Sequence, residues 1–204
     1  MTEETLTAIR DTYVRYGIKS VTMDDLAREL GVSKKTLYEH FNDKEEVVRK
    51  VIDFMIAEQQ NAYESIINQP GNNAIDELLL LSRFITEHLK SVNPALLYDL
   101  KKYYPGVWND LVKYKSKTVF EQIMANIHKG VKEGLFRENL KYEIIAHVYV
   151  SRMELFSPGG LPELEKYAYH DIFRTLFEYH VRGIANERGR NYLETLLNSK
   201  ELEI

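Results

Sequence analysis

The lysine and hydroxyl side chains of residues 21–47 stand at fixed positions relative to three short predicted helices. Ser33 precedes the second of these helices, Lys34 and Lys35 open it, and Lys44 opens the third. A lysine ammonium is a point charge with three donors, which suits phosphate oxygens and other acceptor-rich partners. The chemistry that this segment indicates is binding by hydrogen bonds and charge.

Catalytic motifs are missing from the sequence. It has no GxSxG, GxGxxG, Walker or HExxH motif. None of the six histidines has a glutamate three residues before it, which excludes the Glu-x-x-His signature of di-iron bundles. Because there is no cysteine, thiolate nucleophiles and Cys-ligated zinc are excluded as well. The sequence therefore predicts no catalytic residue, no metal site and no cofactor.

The start and stop signals of this segment describe two short helices joined by a turn. Thr22 and Asp25 have the spacing of a capping box, and Asp43 and Glu46 repeat that spacing at the third helix. Gly31 stands where the first of the helices must end, in a conformation with positive φ. Two helices of about two turns each, joined by a turn that contains glycine, are typical of a helix-turn-helix.

The same residues resemble the DNA-binding domain of the tetracycline-repressor (TetR) family of transcriptional regulators. The resemblance covers roughly the first fifth to quarter of the chain, and capping, core and contact positions match together at fixed spacing. In that family the second helix of the motif is the recognition helix, which enters the major groove. The matching string is Thr22…Leu26-Ala27…Gly31-Val32-Ser33…Thr36-Leu37-Tyr38…His40-Phe41…Lys44-Glu45.

Carried over position by position, the resemblance implies that eight residues contact DNA. Lys34, Lys35 and Thr36 match positions for bases or nearby phosphates, and Tyr38, His40 and Lys44 match positions that usually hold the phosphate backbone. Thr22 and Ser33 are helix caps in any reading, so for them DNA contact is an additional role. Lys35 stands where many family members have glycine, which leaves the operator sequence unpredicted. The full set is Thr22, Ser33, Lys34, Lys35, Thr36, Tyr38, His40 and Lys44.

Composition is that of an ordinary globular chain, with 44% hydrophobic and 28% charged residues among 204. The net charge is −4, and residues 1–50 hold nine lysines and arginines against ten acids, so a general basic patch is absent. DNA binding must therefore depend on where individual charges lie. No run of residues has the length of a membrane span, and the N-terminus lacks an apolar signal region, so we expect a cytoplasmic protein.

Helical periodicity and breakers predict an all-α architecture of about nine or ten helices. An N-terminal three-helix head, residues 1–46, is expected to be fused to a larger helical domain, residues 47–204. No linker separates the two, because the amphipathic pattern that begins at Asp43 runs unbroken towards Asn68. The last two substantial helices are predicted from about Glu143 to Phe156 and from about Glu163 to Ala185.

Aromatic residues are concentrated in the middle of the larger domain, and the family resemblance implies a ligand pocket there. A large apolar cavity with a few polar groups is the usual small-molecule site. Any one of these residues, taken singly, could equally be ordinary core. The candidates for ligand binding are Phe84, His88, Tyr98, Tyr103, Trp108, Phe120 and Met124.

The resemblance also implies a homodimer, formed by pairing of the last two long helices across a two-fold axis. The sequence thus favours a ligand-responsive regulator, most often a repressor, that binds a palindromic double-stranded DNA operator and a small-molecule effector. Two alternatives stay open, a ligand-independent DNA-binding protein and an enzyme that uses the aromatic cavity. Against the first stands the length of the body, and against the second the missing catalytic motifs.

Overall fold

The computed structural model describes residues 2–91, 94–152, 155, 160, 162–164 and 166–198. Within these residues the only strand-like feature is an isolated bridge between Phe136 and Ala185, and a 3₁₀ turn forms at Pro162–Leu164. The all-α class and the number of helices are thereby confirmed. The ten α-helices of the described residues are α1 (Glu3–Tyr16), α2 (Met23–Glu29), α3 (Lys34–His40), α4 (Lys44–Ile67), α5 (Ala74–Ser91), α6 (Pro94–Tyr103), α7 (Pro105–Lys132), α8 (Tyr142–Ser151), α9 (Tyr169–Ile184) and α10 (Glu187–Asn198).

Helices α8 and α9 are shorter than the sequence predicted. Helix α8 ends at Ser151, and the predicted end at Phe156 lies outside the described residues. Helix α9 begins at Tyr169, after the N-cap residue Ala168, whose extended backbone has no side-chain cap. Because alanine carries no capping oxygen, the sequence offered no start signal at that point, and the prediction began the helix too early. None of the described helices is long and apolar enough to cross a membrane.

The chain packs as two compact units. The first unit comprises Met1–Ala62 and Ser91–Tyr114, and the second comprises Tyr63–Lys90 and Lys115–Ile204. Helices α4 and α7 contribute residues to both units. The predicted division between residues 46 and 47 falls within α4, and as a functional boundary it stays a prediction.

The core of the first unit joins the three predicted head helices to α6 and to the first turns of α4 and α7. Helix α1 contacts both α2 and α6, and α2 contacts α3. Each large apolar side chain removed from water in this way stabilises the fold by roughly 1.5–3 kcal/mol. The fully or almost fully buried side chains include Ile9, Tyr13, Ile18, Leu26, Leu37, Phe41, Val47, Leu96 and Leu100.

The second unit forms its own core from α5, the later turns of α7, and α8 to α10. The carboxylate of Glu77 is buried in this unit, where Lys129 Nζ lies 2.5 Å from Oε1 and Asn126 Nδ2 donates to Oε2 over 3.1 Å. A buried carboxylate is tolerated only with such partners. The apolar side chains buried in this core include Ala74, Ile75, Leu78, Ile123, Ile127, Phe136, Val181, Ile184 and Leu193.

Replacing two helical glycines of the second unit by alanine should change the free energy of unfolding in opposite directions. A Cβ at Gly130 would overlap the ring of Phe136, whereas a Cβ at Gly183 would meet no atom within 4 Å. We expect Gly130→Ala to lower the free energy of unfolding by about 1–3 kcal/mol through overpacking. The matched Gly183→Ala variant should raise it by about 0.5–1 kcal/mol, because alanine favours the helix. Urea unfolding followed by circular dichroism measures both, and equal stability of the two variants would contradict this packing.

Candidate nucleic-acid interface

Helix α2 begins with a complete capping box. The Asp25 N–H donates to Thr22 Oγ1 over 3.2 Å, and the Thr22 N–H donates to Asp25 Oδ2 over 2.9 Å. The Thr22 hydroxyl also donates to Asp25 Oδ2, over 2.6 Å. These hydrogen bonds lower the pKa of Asp25, so the cap keeps its charge at the positive end of the helix dipole. The predicted cap is confirmed, and Thr22 remains exposed at the surface.

The turn between α2 and α3 has the geometry that the glycine predicted. Gly31 has φ +65°, and the N–H of Val32 donates to Ala27 O over 3.0 Å to close the end of α2. Ser33 then caps α3, since its Oγ accepts from the Thr36 N–H over 3.0 Å. The hydroxyls of Ser33 and Thr36 lie 2.8 Å apart, so one hydroxyl proton is used between them and the other can reach an outside acceptor.

Helix α3 is anchored on one side by the buried Leu37 and is exposed on the other. Lys34, Lys35, Tyr38 and His40 are all exposed, which leaves their donors open to a partner. Lys34 Nζ lies 3.0 Å from Asp24 Oδ1, and this hydrogen-bonded contact raises the pKa of Lys34. Lys35 takes part in no ion pair among the described residues, so its charge has no carboxylate partner there.

Lys44 has a structural role that the sequence did not indicate. Its Nζ donates to Ile18 O over 2.6 Å and lies 3.5 Å from Lys19 O, in the loop between α1 and α2. Partial burial lowers the pKa of Lys44, while the carboxylates of Asp99 and Asp25 act in the opposite direction. Because an ammonium has three donors, Lys44 can hold this loop and still offer a hydrogen to a phosphate.

Asp99 of α6 holds the same loop from the other side. Its carboxylate, in a residue only 8% exposed, accepts a hydrogen bond of 2.8 Å from the Lys19 N–H. Gly17, with φ +79°, lets the loop pass so closely that a Cβ there would lie 3.0 Å from Asp99 Oδ2. An acidic residue within the apolar run of α6 was the one sequence signal of this contact, and the pattern alone did not reveal its partner.

The start of α4 is capped differently from the prediction. Asp43 Oδ1 accepts from the Glu46 N–H over 2.8 Å, as expected for the first half of a capping box. The Glu46 carboxylate, however, accepts from the backbone and side-chain N–H groups of Asn42, over 2.8 and 2.7 Å. The reciprocal bond is therefore displaced by one residue, because Asn42 offers two donors where Asp43 offers one.

The residues predicted to bind a ligand are divided between the two units. Tyr98 and Tyr103 lie on the surface of the first unit, 50% and 38% exposed, and Trp108 packs against that unit's core. Phe120 and Met124 pack against the core of the second unit, which also contains Phe84. The side chain of His88 lies outside the described residues. A common pocket for these seven residues stays a prediction.

Each unit has a cavity, and the predicted ligand residues line neither. A cavity of about 650 Å³ lies in the second unit, between the α4–α5 loop, the end of α7 and α10. A smaller one of about 240 Å³ lies between α4 and α7 in the first unit, with Arg49 and Asp110 among its lining residues. Among the described residues, no group of three or more histidines and carboxylates could hold a metal ion.

Comparison with known proteins agrees with this geometry. Residues 6–51 match the family described as "Bacterial regulatory proteins, tetR family". The chain is 24% identical over 165 residues to the HTH-type transcriptional regulator YvaF of Bacillus subtilis, covering 81% of this chain and 86% of that protein. It is 22% identical over 165 residues to the HTH-type transcriptional repressor KstR2 of Mycolicibacterium smegmatis, covering 78% and 80%.

A similar fold is seen in the crystal structure of a transcriptional regulator from Cytophaga hutchinsonii, with a TM-score of 0.72 and 19% identity, covering 90% of this chain and 98% of that one. The capped helix-turn-helix and the all-helical fold are thus features that the chain shares with proteins named transcriptional regulators. Residues 6–51 are similar to the tetR family of bacterial regulatory proteins, and the described fold is similar to that of the Cytophaga hutchinsonii regulator.

Because Asp99 accepts a hydrogen bond from the Lys19 N–H, replacing Asp99 should destabilise the protein more than replacing Asp110, another acidic residue of the first unit. Asp99→Ala leaves that N–H without its acceptor, and we expect a loss of about 1–3 kcal/mol in the free energy of unfolding. Asp110→Ala is the control, because its ion pair with Arg49, at 2.7 Å, is largely exposed and should contribute no more than about 1 kcal/mol. If thermal unfolding shows equal losses, the Asp99 contact does not hold the loop.

Proposed function

We propose that this protein is a ligand-responsive repressor that binds a palindromic operator as a homodimer. The observation that carries the proposal is the exposed face of α3, whose donors are held in place by capped helix starts and by the buried Leu37. A repressor is favoured over an activator because a relative of similar length is named a transcriptional repressor. We place the activity in the cytoplasm, where it would meet DNA.

In the proposed complex, α3 lies in the major groove. Lys34 and Lys35 would reach base edges or nearby phosphates, while Tyr38 and His40 would hold the backbone. Thr36 and Ser33 can share one free hydroxyl proton with a phosphate, and Thr22 and Lys44 add contacts at the ends of the motif. Lys34 forms an ion pair with Asp24, so it must break or share that ion pair when it binds DNA.

The proposed dimer uses α8 and α9. Apolar side chains on these helices are exposed to an extent that a single chain does not explain, with Ile144 62%, Val148 59% and Tyr179 75% exposed. Covering them with a second copy would remove that surface from water. A two-fold dimer would also present two recognition helices about 34 Å apart, which matches successive turns of the major groove.

The effector would bind among the middle helices, and we propose Phe84, Phe120 and Met124 as lining residues in the second unit. All three are half-buried, and the Phe120 ring lies 4.6 Å from the ring of His147, which adds a polar group to an apolar surface. An effector needs to separate two conformations by only about 1–3 kcal/mol to alter DNA affinity usefully. Native mass spectrometry of the purified protein would distinguish this regulator from a ligand-independent DNA-binding protein, which would carry no retained small molecule.

Operator binding tests the central proposal. We expect the protein to bind DNA from upstream of its own gene, or an operator obtained by selection from random duplexes, in the presence of excess scrambled competitor. Tyr38→Phe should weaken binding to every sequence, whereas Lys34→Ala should reduce discrimination between operator and scrambled DNA by about 1–3 kcal/mol. Fluorescence anisotropy measures both. A protein that binds no DNA even at low salt would disprove the proposed function.

The dimer interface is tested by placing a charge among the exposed apolar side chains of α8. Val148→Glu should shift the protein from dimer to monomer in analytical ultracentrifugation, because a carboxylate at a buried interface carries a large desolvation penalty. Operator binding should weaken with it. The control is Lys117→Glu, at a side chain that is 78% exposed on α7. If Val148→Glu remains dimeric, the dimer forms through another surface.

A further inference from the structure

A group of lysines and tyrosines forms a second polar surface on the first unit, and we call Lys19, Tyr98, Lys102 and Tyr103 the Lys/Tyr patch. Lys19 Nζ lies 4.7 Å from the centroid of the Tyr103 ring. Lys102 Nζ lies 5.2 and 5.5 Å from the centroids of Tyr98 and Tyr103, and it donates to the Tyr98 hydroxyl over 3.0 Å. The patch thus joins the α1–α2 loop to the exposed side of α6.

Among the described residues, no carboxylate lies within ion-pair distance of the two ammonium groups of this patch. Lys19 and Lys102 take part in none of the ion pairs of the described residues, and the hydrogen bond from Lys19 lowers the pKa of the Tyr103 hydroxyl. In a chain with a net charge of −4, two such ammonium groups side by side form a local site of positive potential. By contrast, carboxylates lie within ion-pair distance of five other cations of this unit, Arg10, Arg28, Lys34, Arg49 and Lys50.

The patch is continuous with the helix-turn-helix. Lys44 Nζ bonds to Ile18 O and lies 3.5 Å from Lys19 O, so the Lys44 ammonium is adjacent to the backbone that carries the Lys19 side chain. The Lys19 N–H is in turn fixed by Asp99 of α6. Tyr98 and Lys102 lie four residues apart on that helix and therefore share one face. A row of donors runs from the start of α4, across the loop, to α6.

We propose that the Lys/Tyr patch binds the phosphate backbone of DNA that flanks the site read by α3. The inference rests on the proposed function, and it extends the DNA contact surface beyond the helix-turn-helix to α6. Ammonium groups and phenolic hydroxyls donate to phosphate oxygens without reading base edges, so the contact is independent of sequence. Its effect is on affinity and on the length of DNA covered.

The test compares three variants that remove one charge and keep the side-chain stem. Lys19→Gln and Lys102→Gln alter the patch, and Lys113→Gln is the control, because Lys113 is exposed on α7 in the same unit and also takes part in no described ion pair. Anisotropy titrations over a range of salt concentrations use the operator with and without flanking base pairs. Each lost phosphate contact should reduce the slope of log K against log salt by about 0.9.

We expect the wild type and Lys113→Gln to bind more tightly when flanks are added, and both patch variants to lose that gain. Hydroxyl-radical footprints of the patch variants should shorten at their outer edges. Tyr103→Phe, which retains the ring and both charges, should keep most of the salt slope. Circular dichroism confirms that each variant is folded.

Three results would overturn the proposal while leaving the proposed function intact. The first is a wild type that binds its operator while both patch variants keep the same slope, flank dependence and footprint. The second is an equal loss in Lys113→Gln, which would show a general effect of charge. The third is binding of inorganic phosphate to the patch without any change in the DNA footprint. It would point to a small-anion site and would also reject the DNA contact. Absence of DNA binding by the wild type would reject both proposals.

Discussion

The motif that carries the proposed function consists of two helices of only seven residues each, and helices of this length are not stable alone in water. Their free backbone N–H groups must be satisfied, and their apolar sides must be buried. The capping bonds of Thr22 and Ser33 meet the first requirement, and Leu26 and Leu37 meet the second. All other features of the surface, including the direction of each lysine, depend on these two short helices staying in place.

The chain has a net charge of −4, so a contact with DNA depends on the position and the partners of individual lysines. The structure shows three different states of lysines around the motif. Lys34 is paired with a carboxylate, Lys44 is bonded to backbone carbonyls, and Lys35 has no ion pair among the described residues. Binding of a phosphate would therefore affect these lysines differently. Lys34 would have to exchange its carboxylate partner for the phosphate, while Lys35 would lose only water. Counting lysines in the sequence does not distinguish these states.

Helix α6 connects the middle of the chain to the DNA-binding motif within the first unit. Asp99 holds the loop after α1, and that loop also receives Lys44 from the start of α4. A small displacement of α6 would act on the same few hydrogen bonds that set the position of the loop. Within the first unit, α6 and the start of α4 are therefore coupled through the hydrogen bonds that both make to this loop.

The sequence by itself determined the helices whose ends carry a chemical signal. Gly31 and the caps at Thr22, Ser33 and Asp43 are local, and so α2, α3 and α4 begin directly after the residues predicted to cap them, and α2 ends before Gly31. Where such a signal was missing, as at Ala168, the boundary was wrong. Only the tertiary structure decided that Lys44 bonds to a loop, that Asp99 belongs beside Lys19, and that Tyr98 and Tyr103 lie on the surface with lysines. These pairings join residues distant in sequence, and helical periodicity specifies which side chains share a face but not which face of another helix they meet.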